Sequence, residues 1–318
     1  MRARAVAAVV VGLGGLAAGL VAVVSSMLET RSMVVVGPAS AAPILLCVTV
    51  VGVLVCLLAR RWWIAAASAV LLGSAAVVVV PLYVPGAAGV ADAAPGEPLR
   101  VMQANVKLGE ADPQALVASV RERRIDVLTV QELTEESVGV FDAAGLSAAL
   151  PYRFVAPYQG GAGAAIYSRF PLSNGRELPG YLLASVTADL DVGAAQPLRV
   201  YAVHPVPPWP TPTPVWASEL DMLGDELAQA SPGAVIVGGD FNSTHAHKRF
   251  RDLLTGGYVD AADAVGAGLI PTYPMDTWYP PVVGIDHVVV RDAQVRSLEP
   301  VDIVGSDHRG LVATVDVP

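Results

Sequence analysis

The chain has 318 residues, of which 53% are apolar and 15% charged, and its formal net charge is −9. This composition excludes an intrinsically disordered protein and is unusual for a wholly soluble one. Both cysteines, Cys47 and Cys56, lie in the apolar amino-terminal part, which excludes a disulfide-held fold for the rest of the chain.

Long uncharged stretches at the amino terminus predict a membrane anchor. They cover residues 5–28, 32–59 and 62–91. Each is longer than the roughly 20 residues that cross a hydrocarbon core. We expect three membrane helices near residues 5–28, 39–59 and 62–84, so that residues 1–85 form the anchor. A cleaved signal peptide is the alternative for the first stretch, although two further apolar stretches follow it.

Charges in the loops predict the orientation of this anchor. Arg2, Arg4, Arg60 and Arg61 fall on one side of the expected helices. The first loop carries Glu29 and Arg31, whose charges nearly cancel. The positive-inside rule then places the amino terminus in the cytoplasm. Three crossings leave everything after the anchor outside the cytoplasm, in a multi-pass protein of the cell membrane.

The remainder of the chain reads as a small-residue linker over residues 86–98 and one domain over residues 99–318. The domain opens with the strand-like LRVMQANV and IDVLTV. Further strand-like runs are at 164–168, 182–190, 198–204, 234–238, 285–290, 296–304 and 310–316. Helices are predicted over 112–124 and from Thr213 onward. Many strands and few helices favour an α+β fold, a two-sheet β-sandwich with helices outside.

The domain is acidic, with 15 Lys and Arg against 26 Asp and Glu, a net charge of −11. A protein that binds nucleic acid normally presents a basic face, so a nucleic-acid partner is less expected. Acidity that only keeps an exported domain soluble explains the charge equally well.

Polar residues recur where the apolar runs begin or end. They are Asn105, Glu132, His204, Asp240, Asn242, Asp286, Asp307 and His308. One such residue is typical of a turn, but so many at strand ends predict a site at one edge of the sheets. Oxygen ligands suit a hard cation, Mg²⁺ before Zn²⁺, with Mn²⁺ as an alternative. A carboxylate beside an imidazole suits general acid–base catalysis, and this combination fits the hydrolysis of a phosphate ester.

The order of these motifs resembles the endonuclease/exonuclease/phosphatase superfamily. The matching segments are the Asn of QANV, QE at 131–132, GAAIYSR at 163–169, VHP at 203–205, GGDFN at 238–242, IDH at 285–287 and SDH at 306–308. The resemblance implies a DNase I-like sandwich of two sheets and a divalent-metal phosphohydrolase site. It also implies that Asn105 and Glu132 bind the metal, with Asp307 close to it.

The same resemblance assigns the catalytic roles. Asp240 and Asn242 handle the attacking water or the leaving group, and His204 contacts the scissile phosphate. Asp286 polarises His308. Whether a histidine or an aspartate takes the proton of the water stays open.

The anchor and the outward orientation favour a substrate at the outer membrane surface. Small three-span members with an outward-facing domain resemble the teicoplanin-resistance (VanJ-like) membrane proteins of actinobacteria, which implies action on undecaprenyl pyrophosphate or a related lipid and a link to antibiotic resistance. The alternatives are a surface-tethered nuclease and a non-catalytic binding module. The lipid bilayer and a phosphorylated substrate are the expected partners, and no protein partner is predicted.

Five further side chains carry weaker expectations. The proline-rich segment 205–214 is expected to overhang the site, with Trp209 and Trp216 either at lipid headgroups or packed in the protein. His245 and His247 follow GGDFN and are interpreted as solvent-facing or loosely capping imidazoles. His287 follows Asp286 on a strand and is expected to point to the opposite face.

Overall fold

The computed structural model describes residues 2–86, 98–194 and 196–318. Nearly all of the predicted linker therefore lies outside the described residues. Residues 2–86 contain four α-helices: α1 (Arg2–Met27), α2 (Met33–Ser40), α3 (Ala42–Leu58) and α4 (Trp62–Val79). A 3₁₀ turn, Val80–Tyr83, continues α4.

Two helical segments, Ala3–Met27 and Trp62–Tyr83, are each long and apolar enough to cross a membrane. Between them, α2 and α3 meet at a bend of 70°, and they make a third candidate only if the bent pair counts as one span. The expected second span near 39–59 corresponds to α3, which is shorter by a few residues. The sequence alone did not predict α2 as a separate helix.

Small residues set the packing of the anchor. A Cβ built on Gly15 would lie 2.9 Å from the Cα of Gly52, so the backbones of α1 and α3 touch there. One turn further along α1, Gly19 faces Thr49 of α3, which makes the two helices antiparallel. Gly19 also faces Leu71, as Gly12 faces Ile64, so α4 runs parallel to α1. Close backbone approach at small residues is typical of helices packed inside a membrane.

The polarity of the anchor's surface is the reverse of that of a soluble domain, with apolar side chains outside and polar ones inside. Large apolar side chains point outward, among them Val34, Leu54, Leu58, Val70 and Val77. The hydroxyls of Thr49 and Ser68 instead lie inside the bundle. An apolar exterior around a few inward polar groups is the pattern that a hydrocarbon solvent favours.

Within residues 98–194 and 196–318 the structure has twelve strands: β1 (Leu99–Asn105), β2 (Val127–Leu133), β3 (Tyr152–Ala156), β4 (Gly163–Ser168), β5 (Leu172–Glu177), β6 (Val186–Leu190), β7 (Leu198–Val203), β8 (Val235–Asp240), β9 (Val259–Asp260), β10 (Asp286–Arg291), β11 (Gln294–Asp302) and β12 (Arg309–Asp316). They form two mixed sheets, in the orders β11-β12-β1-β2-β4-β3 and β5-β6-β7-β8-β10-β9. In each sheet the central pair, β1 with β2 and β7 with β8, is parallel.

In the described part of the domain, six α-helices flank the sheets: α5 (Pro113–Glu122), α6 (Glu135–Ala144), α7 (Leu146–Ala149), α8 (Thr213–Gln229), α9 (Lys248–Leu253) and α10 (Ala261–Val265). One core lies between the sheets, where residues such as Val186, Ile236 and Val288 meet Val101 and Val127. A second core packs α5 and α6 on the first sheet, and a third packs α8 and α9 on the second. The expected two-sheet sandwich with helices outside is confirmed.

The strands that the sequence did not predict lie at the edges of the sheets. β5 has no buried residue, and β3 is exposed or half-buried throughout, so neither carries the apolar alternation that marks a strand. The run predicted over 182–190 forms a strand only from Val186. Residues 182–185 instead form the approach to β6, where Glu219 of α8 accepts the Leu182 N–H.

The anchor contacts the domain at the residues that follow GGDFN. His247 is buried: its Nδ1 accepts the Thr244 N–H at 2.8 Å, so its Nε2 carries the proton that points at the Val36 carbonyl, 3.1 Å away. Burial lowers the pKa of His247 to about 4, which keeps the ring neutral. The prediction of a solvent-facing or loosely capping imidazole is therefore wrong for His247. His245 is half-buried and lies 3.0 Å from the Asp263 carboxylate.

Ion pairs strengthen the same contact. Arg249 of α9 is buried between Asp221 and Glu29, and Arg251 donates to the Ser26 carbonyl. Val36 of α2 inserts into the apolar core under the second sheet. The short helix α2 is thus part of the domain's packing as well as part of the anchor.

Candidate active site

The strand order brings the predicted polar residues to one edge of both sheets. Asn105 and Glu132 lie at the carboxyl ends of β1 and β2, and His204 and Asp240 at those of β7 and β8. β10 is antiparallel to β8, and its first residue, Asp286, stands directly opposite Asp240. Ligand sites form at this edge because the strand ends leave side chains free of the ladder.

Asn105 connects the two sheets. Its Nδ2 donates to Glu132 Oε1 at 2.9 Å and to Asp240 Oδ2 at 3.1 Å. Its Oδ1 accepts the Lys107 N–H at 2.9 Å. The amide nitrogen therefore lies between two carboxylates, and ligation of a cation through the oxygen requires the amide plane to turn over.

Backbone strain aims the Glu132 side chain. The pairing of β2 with β4 shifts register between Gln131 and Leu133, and Glu132 has a φ of +61°. Left-handed backbone at a non-glycine residue costs on the order of 1–3 kcal/mol and collects at functional sites. A bulge at this position turns the carboxylate toward the neighbouring strand ends, where Oε2 accepts the Leu108 N–H at 2.8 Å.

His204 and Asp240 form a buried contact, with Nε2 and Oδ2 3.5 Å apart. Burial opposes the charged form of His204, but Asp240 nevertheless raises the pKa of the ring above its ordinary value. Burial likewise opposes ionisation of Asp240, yet His308 and His204 hold the pKa of this carboxyl below its usual range. Asp240 is therefore an ionised carboxylate inside the site.

Asn242 shapes the turn after β8. Its backbone N–H donates to Asp240 Oδ1 at 2.8 Å, and its φ is +47°. Its Nδ2 donates to the Pro205 carbonyl at 3.0 Å, which ties the turn to the start of the proline-rich segment. In that segment Trp209 is 72% exposed, whereas Trp216 of α8 is buried in the core. The core interpretation of Trp216 is confirmed.

Asp286 and His308 form a buried dyad. Nδ1 of His308 lies 2.9 Å from Asp286 Oδ2, and Nε2 lies 3.8 Å from Asp240 Oδ2. Burial opposes the charged ring, but Asp286 and then Asp240 raise the pKa of His308 to about 10. His308 is therefore an imidazolium at neutral pH. His287, the neighbour of Asp286, points to the opposite face as predicted and is bound by Asp260 and the Ser243 carbonyl.

The side-chain oxygen Oδ1 of Asp307 is the atom of the site that best fits a cation ligand. Its Oδ1 is buried and has no hydrogen-bond partner among the described residues. Burial, together with the charge of Glu132, raises the pKa of Asp307, while His308 opposes this rise. An unpartnered carboxylate oxygen near a second carboxylate fits a hard divalent cation. Two sets of side chains also have ligand atoms within 4.8 Å of one another: Glu132, His204 and Asp240, and Asp240, Asp286 and His308.

The sequence did not reveal two residues that hold the dyad. Gln103 lies inside β1, and its Nε2 donates to Asp286 Oδ1 at 2.8 Å and to Gln131 Oε1 at 2.9 Å. Tyr273 packs its ring on the His308 ring, with centroids 4.8 Å apart. A signal was present for Gln103, because an amide is out of place in the apolar run VMQAN, but its partner lies 183 residues away.

Gln103→Leu is expected to lower turnover about tenfold or more, because supporting hydrogen bonds to catalytic groups typically contribute 10- to 100-fold. The cause is the loss of the amide that orients Asp286. Steady-state kinetics alongside thermal unfolding is the measurement. Tyr258→Phe is the matched control, since it removes a buried hydrogen bond to the Leu227 carbonyl on the far side of the second sheet. Equal losses of activity in the two variants would contradict a positioning role for Gln103.

The fold is shared with known proteins. The model of the Endonuclease/Exonuclease/phosphatase family matches residues 102–308. A D. rerio TDP2 structure complexed with a single-strand DNA product is similar, with a TM-score of 0.59 and 15% identity over 70% of this chain and 100% of that one. An AP endonuclease from Archaeoglobus fulgidus gives a TM-score of 0.58 and 15% identity over 69% and 100% of the two chains.

An endonuclease/exonuclease/phosphatase from Beutenbergia cavernae gives a TM-score of 0.54 and 20% identity, over 70% of this chain and 72% of that one. No curated protein matches the chain. At such identities the solved structures establish the fold alone, whereas the family model covers well over half of the sequence, including every predicted site residue from Asn105 to His308. The chain belongs to the endonuclease/exonuclease/phosphatase family.

Proposed function

We propose that this protein is a membrane-anchored, outward-facing, divalent-metal-dependent phosphohydrolase that acts on a lipid pyrophosphate such as undecaprenyl pyrophosphate. Members of the family hydrolyse phosphoester bonds. The observation that carries the proposal is the convergence of Glu132, His204 and Asp240 within 4.8 Å, directly beside the Asp286–His308 dyad. Burying several titratable groups together costs free energy, and a non-catalytic binding module gains nothing from that cost.

The metal is proposed to be Mg²⁺ or Mn²⁺, held by Glu132 and Asp307 with the side-chain oxygen of Asn105. Support comes from the unpartnered Asp307 oxygen and from the all-oxygen donor set. When bound, such an ion neutralises charge that develops on the phosphate oxygens. It would also offset the repulsion between Glu132 and Asp307, which His308 opposes as well.

The side chains divide the acid and base roles between them. Because the pKa of His308 is raised to about 10, this ring enters the reaction as a cation that donates to an anionic phosphate oxygen. Asp240 stays ionised and is the available acceptor for the proton of the attacking water. Asn242, fixed by its bond to Pro205, and His204 orient the phosphate and the leaving group. This arrangement favours the aspartate over the histidine as the base.

The helix packing supports three crossings of the membrane. α1 and α3 are antiparallel and α4 is parallel to α1. A chain that starts in the cytoplasm would therefore cross outward in α1, inward in α3 and outward again in α4. α3 has 17 residues, or about 25 Å of helix, which is at the short end for a span. Arg60 and Arg61 lie at the end opposite to α2, which touches the domain. Under the positive-inside rule, this arrangement supports a domain outside the cytoplasm.

Attachment of the domain supports a substrate at the membrane. Contacts to the anchor come from residues 247–251, which begin five residues after Asn242. The 3₁₀ turn after α4 adds a second contact, through the Leu82 carbonyl and the Gly268 N–H at 2.7 Å. Because the first of these contacts follows Asn242 closely in the chain, the attachment supports a catalytic edge near the outer leaflet.

A surface-tethered nuclease is the second candidate, favoured by the structural likeness to a DNA-bound TDP2. The experiment that separates the candidates compares the full-length protein, reconstituted in liposomes with Mg²⁺, on undecaprenyl pyrophosphate, a short-chain soluble prenyl pyrophosphate and plasmid DNA. The proposal predicts phosphate release with the highest kcat/KM for the long-chain lipid. Nicking of DNA without release of phosphate from either prenyl substrate would replace the lipid assignment with the nuclease.

A further inference from the structure

A loop beside the site carries an aromatic tip that the catalytic arrangement does not use. This segment, residues 273–282, is called the aromatic loop below, and a bridge between Tyr273 and Val283 closes it. Its first arm belongs to the site: the Tyr273 ring packs on His308, and the Met275 N–H donates to the Asp307 carbonyl at 2.8 Å. Any surface that holds this loop therefore also holds the residues around the dyad.

The tip of the aromatic loop is apolar and open to solvent. Trp278 is 95% exposed and Tyr279 is 39% exposed, and their rings meet edge to face with centroids 5.5 Å apart. Residues 277–282 carry no charge. The Thr277 hydroxyl donates to the Tyr279 carbonyl, which satisfies one backbone oxygen of the tip. A tryptophan with almost no protein contact is uncommon on a soluble surface and marks an interaction site.

The second arm of the aromatic loop adjoins the anchor. Val282 and Val283 line a cavity of about 130 Å³ together with Pro43 at the start of α3 and Leu82 after α4. Pro43 and Leu82 lie at the ends of their helices that face the domain. The loop therefore leaves the protein at the level where the apolar helices end.

Other exposed apolar side chains share the catalytic edge. Leu108, half exposed, follows Lys107 in the loop whose N–H groups hold Asn105 and Glu132. Val304, 58% exposed, precedes Asp307 by three residues. Lys107, the lysine beside Leu108, is 3.3 Å from Asp276 and 3.6 Å from Glu110, so its charge is neutralised. A rim that is apolar and aromatic, and whose described lysine is already paired with two carboxylates, does not fit a phosphodiester backbone.

We propose that the tip of the aromatic loop, Trp278 with Tyr279, inserts into the headgroup region of the outer leaflet and holds the catalytic mouth at the level of lipid phosphates. The occupant of this surface is the bilayer that surrounds the protein's own helices. Tryptophan and tyrosine prefer this region because an apolar ring and a polar group are satisfied there together. The inference rests on the proposed membrane orientation and explains how a lipid-linked phosphate reaches His308.

The direct test uses the fluorescence of the full-length protein in liposomes whose lipids are brominated near the headgroup end of the acyl chain. The difference in emission between the wild type and Trp278→Phe isolates Trp278. This difference is expected to be quenched by brominated lipids, whereas the same difference for Trp216→Phe, a buried residue, is expected not to be. An unquenched Trp278 would overturn the proposal, whatever the activity of the protein.

Activity gives a second readout on the same variants. Trp278→Ala and Trp278→Glu are expected to lower hydrolysis of a bilayer-embedded prenyl pyrophosphate about tenfold, the effect of one lost aromatic contact. Hydrolysis of the short-chain soluble substrate is expected to change less than twofold. If the wild type hydrolyses neither prenyl substrate, the proposed function fails while the quenching result still decides the membrane contact. Loss of DNA binding in Trp278→Ala, with no quenching in the wild type, would show that the loop contacts nucleic acid instead.

Discussion

His308→Ala is expected to lower the rate of phosphate release by about 10²- to 10⁴-fold, the usual contribution of a positioned acid or base. The variant removes the imidazolium that Asp286 and Asp240 stabilise. His245→Ala is the matched control, because His245 is half-buried beside Asp263 and lies outside the site. The control is expected to stay within about twofold of the wild type. Rates that fall equally in the two variants would remove His308 from the mechanism.

The charge state of His308 gives this prediction a pH dependence. The pKa of the ring is raised from 6.5 to about 10, so the ring is protonated at neutral pH and loses its proton only as the pH rises through about 10. The favourable contact with Asp286 is thus fully present below about 6.5 and is lost on the alkaline side, toward pH 10. Activity that needs the imidazolium therefore has an alkaline limb.

Asp286→Asn removes the charge that acts most strongly in favour of the protonated ring. The pKa of His308 is expected to fall toward 6.5, and the alkaline limb is expected to move to lower pH with it. Histidine NMR titration of the metal-free full-length protein measures the pKa without reference to turnover. An alkaline limb that does not move in Asp286→Asn would contradict the role of the dyad.

Glu132→Gln is expected to weaken binding of Mg²⁺ or Mn²⁺ by about 10- to 100-fold or more, because it removes a charged oxygen ligand. A metal that binds only the folded state raises its stability by about 2.7 kcal/mol at a concentration of 100 times Kd. The wild type is therefore expected to show a rise in Tm with added metal, and Glu132→Gln to show it only at much higher metal concentration. Thermal unfolding against metal concentration is the measurement.

Glu110→Gln is the control for this experiment. Glu110 is another carboxylate near the site, but its side chain is 59% exposed and faces Lys107. Its replacement is expected to leave the metal dependence of Tm unchanged. If Glu110→Gln and Glu132→Gln shift the metal dependence of Tm equally, the cation is attracted by the overall negative charge of this region and is not bound by the proposed ligands.

The sequence predicted those site residues that stand at strand ends. Asn105, Glu132, Asp240 and Asp286 each break or border an apolar run, and the ends of the central strands meet because the parallel pairs β1–β2 and β7–β8 are the middle of each sheet. Because this pattern is local, it can be recognised in a single amino-acid sequence. The positions of these four residues agree with the prediction, while their chemical roles stay proposals.

Residues that act across the sheets were not predictable in this way. In the sequence, Gln103 is only a polar residue within an apolar strand. Its amide contacts Asp286 because one sheet packs on the other. His247 looked like a surface imidazole because nothing local shows that Val36 of the anchor would cover it. In both cases the partner is about 180 residues or more away, so periodicity and turn chemistry carry no information about the contact.

The measurement that tests the central claim most directly is phosphate release from undecaprenyl pyrophosphate by the purified full-length protein, with Mg²⁺ and with a chelator, beside His308→Ala. The account predicts release that stops with the chelator, returns with Mg²⁺ and falls at least about 10²-fold in the variant. Release that is equal in wild type and variant, or that ignores the chelator, would contradict a metal-dependent hydrolase built on this edge of the sheets.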